Sequence, residues 1–268
     1  MQRVFITGAS SGLGEALARA YAAEGAFVAL VGRRQPLLEA IRASLPHPAQ
    51  HRVYALDVTD HAALAQAAAD FMATYDGIDV VIANAGISQG TLTAHPEDLP
   101  VFERIVATNL TATVATFTPF VARLKAQRIA RRPLHPPRLV AVASVAGIRG
   151  LPGASAYSAS KAAVISYCES LRVELHGTGI RVVTLLPGYI DTPMTRSNSY
   201  RMPFLMPAER FATRAIAAID AGASYRVIPW QMGIVAKLLR CLPNAVYDWA
   251  FSRAPHKARA LAVVADEH

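Results

Sequence analysis

Tyr157 and Lys161 stand four positions apart in Tyr157-Ser158-Ala159-Ser160-Lys161, at the head of a helically spaced segment that reaches about Leu175. Residues at i and i+4 share one face of a helix, so an ammonium can lie beside a phenol there. A free phenol titrates near ~10, and a neighbouring cation favours the phenolate. Such a tyrosine can exchange a proton with a substrate oxygen near neutral pH. An ordinary surface helix produces the same spacing, so the pair alone decides nothing. Its surroundings carry more. Ser144 follows the apolar run 139–143, where a serine either closes a turn or hydrogen-bonds a carbonyl oxygen. Asn84-Ala85-Gly86 takes the same position after the run 79–83, and Asn109 lies inside the helical run 101–122.

A second group of residues could hold a phosphate. The first apolar run leads into Thr7-Gly8-Ala9-Ser10-Ser11-Gly12-Leu13-Gly14 and then into a helical pattern. Glycines permit a tight turn and let a phosphate approach the backbone, while the helix start offers free N–H groups. The spacing Gly-x3-Gly-x-Gly is not the usual dinucleotide fingerprint, so any glycine turn before a helix remains an alternative. At the end of the second apolar run stand Gly32, Arg33 and Arg34, with no carboxylate. An acidic residue there would bind ribose hydroxyls, whereas arginine favours a 2′-phosphate. The two signals together predict NADP(H) over NAD(H).

These residues need a scaffold that brings strand ends together. Short valine-rich runs at 3–6, 26–31, 52–56, 79–83, 139–143 and 181–186 read as strands. Between them, stretches such as 13–24 and 60–75 have helical spacing. That alternation predicts a single doubly wound α/β domain over residues 1–268, with a central parallel sheet and helices on both faces. The basic, proline-bearing run 123–138 and everything after about residue 193 stand outside the rhythm. The run 123–138 is expected to be a solvated loop at the sheet edge, away from the site.

The chain has 268 residues, 53% hydrophobic and 17% charged, which excludes a disordered protein. Its net charge of +8 raises nucleic acid or an anionic membrane as partners. The excess is local: residues 1–122 carry 7 basic and 11 acidic side chains, 123–138 carry 6 basic and none acidic, and 193–268 carry 10 and 5. No nucleic-acid partner is expected, because the basic run lacks interleaved aromatics. Cys168 and Cys241 show no metal-like or paired spacing, no apolar leader precedes the first strand, and the uncharged run 105–122 contains Asn109 and Pro119. Together these read as a cytoplasmic protein without metal or disulfide.

In combination the motifs resemble those of the short-chain dehydrogenase/reductase family, in family order over roughly residues 3–192. Residues 7–14 are similar to its glycine motif, Asp57-Val58 to its adenine-contacting pair, and Asn84-Ala85-Gly86 to its sheet-stabilising motif. Asn109, Ser144, Tyr157 and Lys161 match its catalytic tetrad, and Pro187-Gly188 with Thr192 its nicotinamide-side loop. The departures are Ala83, where many relatives have a second asparagine, and an additional-looking basic segment between Asn109 and Ser144. The resemblance implies a Rossmann-like fold and gives Tyr157 the role of general acid or base. Lys161 would lower the tyrosine pKa and hold the nicotinamide ribose, and Ser144 would orient the substrate oxygen. Asn109 would hold a water in a proton relay through a distortion of its helix, with Ile190 and Thr192 on the carboxamide. Gly8, Ser10, Ser11, Gly12, Leu13 and Gly14 would cradle the cofactor. A homodimer or homotetramer through helices near 101–122 and 155–176 is also implied.

The leading expectation is an NADPH-dependent reductase of a ketone or aldehyde, reversible to alcohol oxidation. The alternatives are a non-catalytic NADP(H)-binding sensor or scaffold and an NAD-dependent alcohol dehydrogenase. Past residue 193, the segment 194–209 resembles the substrate loop of family members, in which Phe204, Leu205 and Met206 could line a pocket for an apolar carbonyl compound. The tail holds basic amphipathic helices, with Ile234, Val235, Leu238, Leu239 and Leu242 at helical spacing and Trp230 and Trp249 nearby. Packing on the domain or on another subunit outweighs peripheral membrane contact as its reading, since buried stripes outnumber membrane ones.

Overall fold

The computed structural model describes residues 1–131, 136–196, 198, 200–254 and 257–259, with the backbone alone over 127–131. The six predicted strands form as β1 (Arg3–Thr7), β2 (Phe27–Gly32), β3 (Arg52–Ala55), β4 (Val80–Ala83), β5 (Arg138–Val142) and β6 (Arg181–Pro187). Between them lie α1 (Gly12–Ala23), α2 (Gln35–Ser44), α3 (His61–Thr74) and α4 (Leu99–Val106), which continues through a π-helical segment, Ala107–Thr111, into α5 (Ala112–Arg131). The helix α6 (Ser155–Glu174) separates β5 from β6. Beyond β6 come β7 (Ile190–Asp191), α7 (Pro193–Arg196), β8 (Met206–Pro207), α8 (Ala208–Asp220), β9 (Tyr225–Ile228), α9 (Trp230–Cys241) and α10 (Asn244–Phe251).

The main sheet has the order β3-β2-β1-β4-β5-β6-β9, and every neighbouring pair is parallel. Parallel strands are covered on both faces, so each must be apolar on both. In β1, Val4 and Ile6 point to one face with Leu17, Tyr21, Leu38 and Phe211 of α1, α2 and α8. Phe5 points to the other, with Phe71, Phe117, Phe120 and Val164 of α3, α5 and α6. The rings of Phe5 and Phe120 lie 5.1 Å apart, which ties α5 to the middle of the sheet. The chain winds one way from β1 to β3 and the other way from β4, so a crevice opens at the carboxyl ends of β1 and β4.

Two predicted features differ. The sheet gains a seventh strand, β9, whose Thr184↔Tyr225 to Pro187↔Ile228 register extends β6, while α8 packs on the face that α1 covers. The last quarter thus contributes to the core. The basic run 123–138 is not a loop throughout: its first nine residues continue α5 to Arg131. Lysine and arginine are good helix formers, and no proline falls within 123–131. Arg138 is buried in β5, where its Nη2 donates to the Asp220 carbonyl at 3.0 Å.

The helical stretch Pro96–Ala126 is long and apolar enough to cross a membrane by length and composition alone. Here Phe117, Phe120 and Leu124 are buried against the sheet. The Thr113 and Thr116 hydroxyls return to carbonyls one turn back, at 2.8 and 2.7 Å.

Candidate active site

At the crevice, Thr7 ends β1 and the chain must turn at once into α1. Gly8 and Gly12 adopt φ of +69° and +58°, in the left-handed region that suits glycine. A Cβ on Gly14 would sit 2.2 Å from the Gly8 carbonyl oxygen, and one on Gly8 2.8 Å from the Ala85 Cα. Neither position can carry a side chain. Asn84 braces the turn from β4, its Nδ2 donating to the carbonyls of Thr7 and Gly8 at 3.0 and 3.2 Å. The Thr7 hydroxyl accepts the Asn84 and Ala85 N–H groups at 3.1 and 3.2 Å. The result is a bare backbone cradle at a helix start, suited to a phosphate.

At the end of β2, Arg34 folds back over the turn, its Nη2 donating to the Ser10 and Ser11 hydroxyls at 2.9 and 2.8 Å. Arg33 stays largely exposed and pairs loosely with Asp57, 3.6 Å away. Asp57 accepts the Thr59 N–H at 3.0 Å and the Thr59 hydroxyl at 2.8 Å. The Thr59 backbone N–H, helped by its hydroxyl and by Arg33, holds the Asp57 carboxyl below the usual range despite partial burial.

Across the crevice, α6 presents Tyr157 and Lys161, and Ser144 follows β5 after Ala143. Both Ser144 and Lys161 are buried. Lys161 Nζ donates to the Val142 carbonyl at 2.8 Å and lies 5.8 Å from the centre of the Tyr157 ring. Burial without a carboxylate partner brings the Lys161 pKa down to about 8. Burial also raises the Tyr157 phenol above its ordinary value, and a hydrogen bond with Ser144 opposes that rise. This differs from the expected lowering by Lys161. The ammonium is turned to the Val142 carbonyl, and the Ser144 hydroxyl is the group that pulls the phenol down. Tyr157 is therefore protonated at neutral pH, the form that gives a proton to a carbonyl oxygen.

Asn109 sits in the π-helical segment and is fully buried. Its Oδ1 accepts the Ile87 N–H at 2.8 Å, and its Nδ2 donates to the Ile87 carbonyl at 3.0 Å and the Ser160 hydroxyl at 3.0 Å. It thus ties the loop after β4 to the helix that carries Tyr157. A Cβ on Gly86 would approach the Asn109 Oδ1 to 3.2 Å and Lys161 Nζ to 3.5 Å, so the smallest residue keeps this corner open.

One cavity of about 830 Å³ brings these groups together. It is lined by Gly8, Ser10, Ser11, Gly12 and Leu13, by Arg33 and Arg34, by Asp57 and Val58, and by Asn84, Ala85 and Gly86. At its other end stand Ser144, Tyr157 and Lys161, with Pro187, Gly188, Ile190 and Thr192. Of the residues predicted for catalysis and cofactor binding, Gly14 and Asn109 stay out of the lining, as supports behind it. Sequence reasoning missed Ser88, Gln89, Arg104 and Thr108, which also line the cavity and carry no motif. Phe204, Leu205 and Met206 are not in the lining: the first two are half-exposed, and Met206 of β8 is buried against the core. A nicotinamide dinucleotide fits this donor set, because the side-chain-free cradle and the arginine-bearing strand end share one cavity with the half-buried phenol.

A family model described as short chain dehydrogenase matches residues 2–202. An uncharacterized oxidoreductase of Myxococcus xanthus is 38% identical over 257 residues, covering 92% of this chain and 95% of its own. A 2-dehydro-3-deoxy-L-rhamnonate dehydrogenase (NAD(+)) of a Sphingomonas species is 38% identical over 189 residues, covering 70% and 72%. Among solved structures, a 3-ketoacyl-(acyl-carrier-protein) reductase from Brucella melitensis complexed with NADH superposes with a TM-score of 0.76. It is 25% identical, over 85% of this chain and 96% of that one. The fold and the crevice define a nicotinamide-cofactor oxidoreductase. The chain belongs to the short-chain dehydrogenase/reductase family.

Proposed function

We propose that the protein is an NADP(H)-dependent reductase of a ketone or aldehyde, able to run in reverse on the secondary alcohol. The observation that carries the cofactor preference is Arg34, whose guanidinium spans the Ser10 and Ser11 hydroxyls where a 2′-phosphate would sit. Arg33 stands beside it, and Asp57, the nearby carboxylate, is already paired. When bound, the nicotinamide supplies the hydride for reduction or takes it in oxidation. Ser144 orients the substrate oxygen, Tyr157 gives it a proton, and Lys161 holds the nicotinamide ribose. Asn109 acts through Ile87 and Ser160 as a positioning residue. Within the cavity, Ile190 and Thr192 would hold the carboxamide, and Asp57-Val58 the adenine.

The Sphingomonas relative is named for NAD(+) and the Brucella structure holds NADH, so the alternative reading is an NAD-dependent dehydrogenase. Titration of NADPH and NADH into wild type and Arg34→Ala separates the two. Loss of two charge-assisted hydrogen bonds should weaken NADPH binding about tenfold to a hundredfold. NADH binding should change little, and equal losses would overturn the preference. We infer an apolar substrate, covered by the segment that carries the exposed Phe204 and Leu205 beside β8. We also propose a cytoplasmic homodimer or homotetramer built through α4–α5 and α6, supported by the exposed, uncharged Thr111 and Thr118 and by exposed Val173.

A further inference from the structure

The apolar stripe of the C-terminal helices is divided between the protein and the solvent. On α9, Met232, Gly233 and Ala236 are buried, and Met232 backs Gly188 so closely that a Cβ there would meet its Cγ at 2.6 Å. The opposite face presents Trp230, Ile234 and Leu238, which are 63%, 50% and 64% exposed. These are successive i, i+4 positions, so they form one ridge. After Leu242 and Pro243, α10 (NAVYDWAF) is apolar on nearly every side, yet only Tyr247 is buried. Trp249 is 82% exposed and Val246 47%. Both tryptophans of the chain therefore face outward on two consecutive helices.

We propose that α9 and α10 form a docking surface for an anionic membrane. Exposed indole, isoleucine and leucine side chains suit the boundary between headgroups and acyl chains, where an aromatic ring keeps its N–H wet. Charge selects this occupant. From Arg226 to Arg253 the chain has four cationic side chains, Arg226, Lys237, Arg240 and Arg253, and one acidic one, Asp248. Lys237 lies on the exposed face beside Leu238. Anionic headgroups attract such a surface, whereas a second copy of it would bring like charges together.

The surface also lies next to the cavity. Gly188, backed by Met232, is in the cavity wall. The segment that begins at Ser144 reaches Gly150, whose carbonyl accepts the Tyr247 hydroxyl. Arg149 lies 4.2 Å from the Tyr247 ring centre and donates to Asn244 at 3.0 Å. Docking would hold the substrate end of the cavity beside the lipid, a route for an apolar carbonyl compound. That consequence rests on the reductase reading; membrane docking does not, and its test needs no turnover.

The test is flotation with vesicles of equimolar phosphatidylglycerol and phosphatidylcholine at low salt, read together with tryptophan emission, which reports on this surface alone. Wild type should float with these vesicles and its emission should shift to the blue. Pure phosphatidylcholine vesicles and high salt should each reduce binding about tenfold. Trp249→Glu and, separately, Lys237→Glu with Arg240→Glu should lower partitioning by about the same factor. Each variant alters exposed positions and should keep wild-type thermal unfolding and NADPH binding. Absence of flotation at low salt would overturn the proposal. So would a blue shift that grows with protein concentration without vesicles, accompanied by a doubled sedimenting mass, which would assign the face to a second copy.

Discussion

Two groups of opposite chemistry, the buried Lys161 and the half-buried Tyr157, set the properties of the site at the scale of single residues. Lys161 is an ammonium held inside the protein and donating to the Val142 carbonyl, and burial brings its pKa from 10.5 to about 8. The unfolded chain binds that proton more readily, so the charged form costs stability at every pH below about 8. The cost disappears as the pH rises toward 10.5. It amounts to about 3 kcal/mol, less about 1 kcal/mol for the hydrogen bond to Val142. Lys161→Met should therefore be inactive yet more stable than wild type by about 2 kcal/mol at neutral pH, the gap closing in alkali. Denaturant melts at neutral and alkaline pH would check this, and a variant less stable at neutral pH would contradict it. Tyr157 is raised instead, mainly by burial, so its proton is retained through neutral pH. Reduction, which needs the phenol, should persist there, while alcohol oxidation, which needs the phenolate, should rise with pH. The sequence shows the two residues and their spacing. It does not show that the Val142 carbonyl receives the ammonium or that Ser144 bonds the phenol, because both come from another strand end.

Among the elements, what sequence reads best is what sterics dictate. The stretch from Gly8 to Gly14 is legible because two of its glycines have no room for a methyl group. Gly14→Ala would place a Cβ against the Gly8 carbonyl and the Asn84 amide. It should cost about 1–3 kcal/mol of stability and abolish NADPH binding, measurable by melting and titration. Strands β1, β2, β4, β5 and β6 are legible for a related reason: buried on both faces, they admit little else. The edge strand β9 escapes the pattern because Tyr225 and Arg226 are exposed and only Ile228 is buried. The resemblance also anticipates a distortion at Asn109, and the chain turns π-helical there, aiming the amide at Ile87 and Ser160.

At the scale of the molecule, long-range partners join segments that no local pattern connects. The C-terminal segment returns to the loop after β4: Lys257 donates to Ser88 at 2.9 Å, and the Gly90 N–H donates to the Ala258 carbonyl at 2.9 Å. Arg259 clasps Asp98 at 2.8 and 3.1 Å and Glu97 at 2.9 Å. That loop meets the start of α6 through Thr91, whose hydroxyl lies 3.0 Å from that of Ser155. Arg259→Ala should raise amide exchange from Ser88 to Asp98 and leave α1 and α3 unchanged, as hydrogen exchange would show. The +8 charge likewise acquires separate meanings. Arg34 guards the cradle, Arg138 is spent inside the sheet, Arg259 closes a loop, and Lys237 and Arg240 of α9 stand on the helix that begins with exposed Trp230.

The reductase reading is tested most directly by following NADPH consumption over a panel of ketones and aldehydes with wild type and Tyr157→Phe, alongside NADPH binding to both. Wild type should oxidise NADPH with at least one carbonyl compound. Tyr157→Phe should lose that turnover by about a thousandfold or more while binding NADPH as tightly. Undiminished turnover by the variant, or a wild type that binds NADPH and consumes none with any carbonyl compound, would contradict it.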